Sequence, residues 1–181
     1  MSMKIGKKGI DLLKKWEQAP KGGFASISYK CTGGKNTIGW GHVIKPSDNI
    51  VQPITLFKAE ELLQNDVKWA EDVVNNFVKV KINQNQFDAL VCLVFNIGET
   101  NFKTSTLLKF LNDNLLFKVP AQFMRWIYSS GKKTKGLENR RFAEVELWNK
   151  EVSDVYFYIN KHKVYRFWIT RIVHVLFYGQ E

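Results

Sequence analysis

Apolar residues recur at helical spacing near the start of the chain. Ile10, Leu13 and Trp16 share one face of residues 6–17, with Lys14 and Lys15 expected to face outward. "EQAPKGGFAS" then breaks the pattern with Pro20 and the Gly22-Gly23 pair. From 24 to 44 the period changes to two. "FASISYKC" sets Phe24, Ser26 and Ser28 against Ala25, Ile27 and Tyr29, "GGKN" reads as a turn, and "TIGWGHVI" reads as a second strand. Gly39 and Gly41 leave one face of that strand bare, which costs strand stability unless something approaches the backbone closely.

Helical spacing then returns. Thr55 is placed to cap a long helix whose stripe runs Ala59, Leu62, Leu63, Val67, Ala70, Val73, Val74 and Phe77, interrupted only at Asp66. Asn83 caps the next helix, with Gln86 in the capping-box position, and Gly98 ends it. Its buried face is Phe87, Leu90, Val91, Val94 and Phe95, and Cys92 reads as core. Shorter helices are expected around "STLLKFLN", "AQFMRWIY" and "ENRRFAEVELWN". The order is therefore a helix, a small sheet and five helices. After Trp148 the texture shifts to β-branched and aromatic residues with mostly basic charges. Lys161, Lys163, Arg166 and Arg171 leave no uncharged run near the ~20 residues of a membrane span.

Composition narrows the class. The chain has 181 residues, 45% of them hydrophobic, enough for one domain with a real core. Its net charge of +10 draws it to polyanions, whether nucleic acid, anionic lipid or cell wall. It carries no arginine-rich tract and no nucleic-acid-binding signature, so no nucleic-acid partner is expected. Cys31 and Cys92 form no CxxC or Cys/His metal spacing, so neither metal nor cofactor is expected. The opening "MSMKIGKKGIDLLKKWE" has no apolar h-region, so synthesis in the cytoplasm with reduced thiols is expected.

Among the early residues, carboxylates are few and lysines many. Glu17 ends the first helix just before the glycine-rich break, where a carboxyl group suits general acid work. Taken alone it reads far more readily as a surface glutamate paired with a lysine. The stretch "CTGGKNTIGWGH" adds Cys31 and Thr37, with five residues between them, and a run ending at His42.

Together these residues resemble the phage-type lysozymes, the endolysins of glycoside hydrolase family 24. That family runs Glu, then Asp or Cys, then Thr, followed by Thr-Ile-Gly-Tyr/Trp-Gly-His, here Thr37-Ile38-Gly39-Trp40-Gly41-His42. "QNQFDALVCLVFNIG", "FKTSTLLKFLN" and "GLENRRFAEVELW" extend the likeness over residues 5–149. It implies an α+β, lysozyme-like fold with a small β-hairpin lobe, about residues 24–50, packed on a mainly helical lobe across a cleft. Residues 1–149 would be the catalytic domain and 150–181 a basic aromatic extension.

The resemblance also implies roles. Glu17 matches the general acid, Cys31 the position that orients the attacking group, and Thr37 the hydroxyl that helps hold water or sugar. Thirteen residues separate Glu17 from Cys31, more than is common in the family, and the excess falls in a loop that tolerates insertion. Cys31 stands where many relatives keep Asp. A thiol of ordinary pKa, ~8.5, is mostly protonated at neutral pH, so it would orient water rather than carry charge. Tyr29, Gly39 and Trp40 are candidates for the sugar groove, by ring stacking or close approach; the plain reading of both rings is packing. His42 reads as a brace of the hairpin rather than a base. Arg140 or Arg141 is expected to meet Glu17 or brace the lobes, unless the pair is simply a solvated basic face.

The expected activity is hydrolysis of the β-1,4 bond between N-acetylmuramic acid and N-acetylglucosamine in peptidoglycan, with lysis of the host. A monomer is expected, released from the host cytoplasm to the wall through a holin. The tail would contact anionic lipid or lipopolysaccharide, unless it packs on the lobe. Two rivals stand beside this reading. One is a lytic transglycosylase, which also uses a lone glutamate. The other is a non-enzymatic basic protein that binds walls or membranes.

Overall fold

The first helix, α1 (Lys7–Trp16), begins without a capping side chain of its own because Gly6 occupies the N-cap position. Asp88 supplies the cap from a distant helix. Its carboxylate accepts from the Gly6 amide at 2.8 Å and the Gly9 amide at 3.1 Å. Gly9 allows this approach, since a Cβ there would lie 2.9 Å from the Asp88 Cβ. Just upstream, the Ile5 amide donates to Glu71 at 2.7 Å and the Met3 amide to Asn75 at 2.9 Å. Free amides at a helix start need such acceptors, so carboxylates and amides of the core helices fix where α1 points.

The computed structural model describes residues 2–31 and 33–150. The proposed extension from residue 151 onward, with its expected contacts, lies outside them. After α1 come β1 (Ala25–Lys30), β2 (Asn36–Gly39) and β3 (His42–Val43), an antiparallel sheet in the order β1-β2-β3. Tyr29 pairs with Thr37, and Ile38 with His42. "TIGWGHVI" is thus two strands, not one. Gly39 and Gly41 have φ of +64° and +85° and reverse the chain around Trp40, a conformation that side chains with a Cβ resist. The bare face expected at these glycines is a turn. Gly39 lies against the next helix, where a Cβ would meet that of Ala59 at 3.4 Å.

The long helix α2 (Leu56–Phe77) is capped by Thr55, and α3 (Gln84–Ile97) by the expected reciprocal box of Asn83 and Gln86. They are followed by α4 (Glu99–Lys103), α5 (Thr106–Asn112), α6 (Val119–Phe123), the hairpin β4 (Tyr128–Ser129) with β5 (Lys132–Lys133), and α7 (Lys135–Trp148). Among the described residues, six α-helices therefore follow the sheet rather than five. The helix expected over 121–128 stops at Phe123, and the chain turns instead at Ser130 and Gly131, both at positive φ. The apolar core centres on α3, whose Leu90, Val91, Leu93 and Val94 are fully buried with Cys92. A smaller apolar group, Ile38, Ile54, Ala59 and Leu62, joins the sheet to the start of α2. The architecture is the expected small β-lobe against a mainly helical lobe.

Candidate active site

Glu17 sits one residue past the end of α1, its amide still bonded to the Leu13 carbonyl at 2.9 Å. Its side chain is a quarter exposed. Arg140 Nη1 donates to Glu17 Oε1 at 2.9 Å. Oε2 faces the β-lobe: a Cβ at Gly41 would lie 3.5 Å from it. Gly41 is required for its positive φ, and a Cβ there would touch the carboxyl group only at van der Waals distance.

Arg140 is itself held on three sides. Nε reaches Glu144 at 3.3 Å and Nη2 the Cys92 carbonyl at 3.4 Å. Arg141 Nη2 donates to Glu144 Oε1 at 2.8 Å. All three α7 side chains are buried, so the pair is not a solvated basic face. Burial pushes the Glu144 carboxyl up to about 7, against the pull of Arg141 and Arg140. Burial likewise lowers Arg141. Both directions reflect charge removed from water; Arg141 Nε and Nη1 and Glu144 Oε2 find no hydrogen-bond partner among the described residues.

Cys31 and Thr37 flank the turn end of the β1–β2 hairpin. The turn is set by the Cys31 amide bonding the Lys35 carbonyl at 3.0 Å and the Gly34 amide bonding the Cys31 carbonyl at 2.8 Å. The Cys31 thiol lies below its ordinary value, first through the neighbouring Thr37 side chain, then through the backbone at Lys35 and Gly33, while the Thr37 hydroxyl donates to the Lys35 carbonyl at 3.2 Å. Dipoles of neighbouring groups, rather than charges, lower it. Tyr29 is raised by burial and then by the negative charges of Cys31 and Glu17, so the phenol, thiol and carboxyl group share one electrostatic neighbourhood. Cys92, by contrast, is fully buried and pushed well up.

Trp40 packs on Phe24, ring centroids 6.1 Å apart, with the Lys14 ammonium 5.7 Å from its ring. Lys14 is accordingly turned inward, not outward. His42 is buried, with Nδ1 2.9 and 3.0 Å from the Asp66 oxygens and Nε2 3.2 Å from Asp48. It ties the hairpin to α2 as a brace does. The one break in the apolar stripe of α2, Asp66, exists for this contact. Asp48 lies below its ordinary value, first through the Lys45 amide and then through His42. Sequence reasoning missed Asp48, Asp88 and Glu144. Asp66 and Glu144 at least carried a signal: charges on faces whose neighbours are apolar or buried.

The Phage lysozyme family model matches residues 19–144, starting just after Glu17. An endolysin of Acyrthosiphon pisum secondary endosymbiont phage 1 is 41% identical over 150 residues, covering 81% of this chain and 98% of the relative. An endolysin of Bacillus phage PZA is 40% identical over 152 residues, but the match spans only 55% of its length. Among solved structures, the endolysin from Escherichia coli O157:H7 phage FAHEc1 superposes with a TM-score of 0.73 at 31% identity, covering 83% of this chain and 96% of that one. With most of its length inside the match and the lysozyme-like lobes in place, the chain belongs to the phage lysozyme family.

Proposed function

We propose that this protein is an endolysin-type muramidase that hydrolyses the β-1,4 bond between N-acetylmuramic acid and N-acetylglucosamine in peptidoglycan. The observation that carries the reading is the Glu17 carboxyl group. One oxygen is held by Arg140, and the other faces the turn at Gly41 in the β-lobe, the lobe that also bears Cys31 and Thr37.

In this reading Glu17 hands a proton to the glycosidic oxygen as the bond to the anomeric carbon breaks. Arg140 holds Oε1, so Oε2 is the oxygen that delivers it. A water held by Cys31 and Thr37 bonds the anomeric carbon, and the proton it sheds returns through solvent to Glu17. No second carboxylate is needed for this single displacement. The positive charge of the chain suits an anionic wall. Tyr29, half-buried and within electrostatic reach of the thiol and the carboxyl group, contacts a sugar in this reading. The proposal also carries release by a holin and action as a monomer, which rest on the family resemblance. Contact of the basic, aromatic tail with anionic lipid rests on sequence alone.

Product analysis tests the reaction type. Mass spectrometry of purified peptidoglycan after digestion should show fragments ending in a reducing N-acetylmuramic acid. A 1,6-anhydro end in its place would mean a lytic transglycosylase, and no cleavage at all would leave only a wall- or membrane-binding protein.

A further inference from the structure

Lys14 lies one helical turn before Glu17, on the helix that carries it. Its ammonium group pairs with Glu60 of α2 and sits 5.7 Å from the Trp40 ring. Trp40 is the residue between the two reversing glycines of the β-lobe turn. Its neighbour Gly39 abuts Ala59, next to Glu60, and its neighbour Gly41 abuts Glu17. These contacts close a ring. It runs from Glu17 through α1 to Lys14, across to Glu60 and α2, through Ala59 to Gly39, and around the turn to Gly41 and back to Glu17.

We propose that Lys14 is a positioning residue for catalysis, setting the gap between the Glu17 carboxyl group and the hairpin that bears Cys31 and Thr37. Apart from Glu17, which abuts Gly41, the contacts that tie α1 to distant residues anchor it to the helical lobe: Asp88 and Glu71 at its start, Leu13 in the core, and Arg140 at its end. Lys14 is the side chain that reaches from α1 to both the turn and the part of α2 on which that turn rests. The Lys14 and Glu60 side chains are 21% and 38% exposed, and ion pairs so open to water add little to folding stability. What the pair supplies is register: one short ammonium fixes a carboxylate and a ring at once. A reacting group misplaced by about 1 Å can lose catalysis by a factor on the order of 10².

This inference rests on the muramidase reading, and the test separates the two. Wild type, Lys14→Met, Lys14→Arg and Glu60→Gln would be compared on purified peptidoglycan, with kcat, KM and Tm measured for each. Lys14→Met should lower kcat about tenfold, with KM changed less than about twofold and Tm nearly unchanged. Arginine should recover most of the loss, and Glu60→Gln should lose kcat in the same sense even if Lys14→Met folds poorly. Exchanging the pair, Lys14→Glu with Glu60→Lys, should restore activity over Lys14→Glu alone. An unchanged kcat in both Lys14→Met and Glu60→Gln, with wild type cleaving normally, would overturn the positioning role alone. A loss that merely follows a fallen Tm would overturn it too. Failure of wild type to cleave would instead strike the muramidase reading.

Discussion

Arg140 Nη1 and Glu17 Oε1 lie 2.9 Å apart, joining α7 to the end of α1 across 123 positions of sequence. The guanidinium also reaches Glu144 and the Cys92 carbonyl, so it cannot swing away from Glu17 without leaving other bonds. Its planar fork orients the carboxyl group in a way a point charge does not. Arg140→Lys should therefore lower turnover on peptidoglycan by about 10- to 100-fold. It should also lower stability, by about 1–3 kcal/mol, because an ammonium cannot reach Glu17, Glu144 and the Cys92 carbonyl at once and leaves a buried acceptor unpaired. Turnover and urea unfolding check the two effects separately.

The thiol at the hairpin gives a second prediction. Cys31 is accessible and held below its ordinary value chiefly by Thr37, while Cys92 is buried and pushed up. Iodoacetamide should label Cys31 and spare Cys92 in the native protein. The pH at which labelling reaches half its maximal rate should move upward in Thr37→Val. An unmoved profile would mean that the hydroxyl does not tune the thiol.

Stability should depend on Asp88 more than on any exposed carboxylate. It accepts from two backbone amides at the start of α1 and from the Gln84 side chain, at 2.7 Å. Asp88→Ala leaves those donors unpaired in a buried place, at a cost of about 1–3 kcal/mol. Chemical denaturation should show this as a lower midpoint, and hydrogen exchange should show the first turn of α1 losing protection.

Glu144 sets a pH dependence whose sign is opposite to that of an ordinary ion-paired carboxylate. Its folded value, about 7, is above the reference of 4.5. Below pH 4.5 the group is protonated in both states and its contribution is fully present. Between 4.5 and about 7 the unfolded chain releases its proton first, so stability falls as pH rises. Asp48 acts the other way at the acid end, since its lowered value lends stability that is lost as pH falls through it. Stability against unfolding, measured from pH 5 to 8, should decline in wild type, and the decline should flatten in Glu144→Gln.

How much of this could be read from sequence depends on how local the cause is. The caps at Thr55 and Asn83 are satisfied within three residues, and both helices start where the pattern places them. The strand reading across Gly39 and Gly41 missed the reversal because alternation continues smoothly through the turn. The β4–β5 hairpin carried a Ser130-Gly131 turn signal that was outweighed by the apolar run before it. Glu17, Cys31 and Thr37 were legible only through resemblance, as a lone carboxylate and a lone thiol say little by themselves. The groups that hold them, Arg140 for Glu17 and Asp66 for His42, are separated from their partners by 123 and 24 positions. No local rule states such distances, and they emerge only once the helices have packed.

The central claim is that Glu17 supplies the proton that breaks the glycosidic bond. Turnover of purified peptidoglycan by Glu17→Gln tests it most directly, because glutamine keeps the shape and an acceptor for Arg140 but has no acidic proton. The variant should bind peptidoglycan and melt near wild type while losing activity by a factor on the order of 10²–10⁴. A Glu17→Gln protein that clears peptidoglycan at close to the wild-type rate would contradict the account.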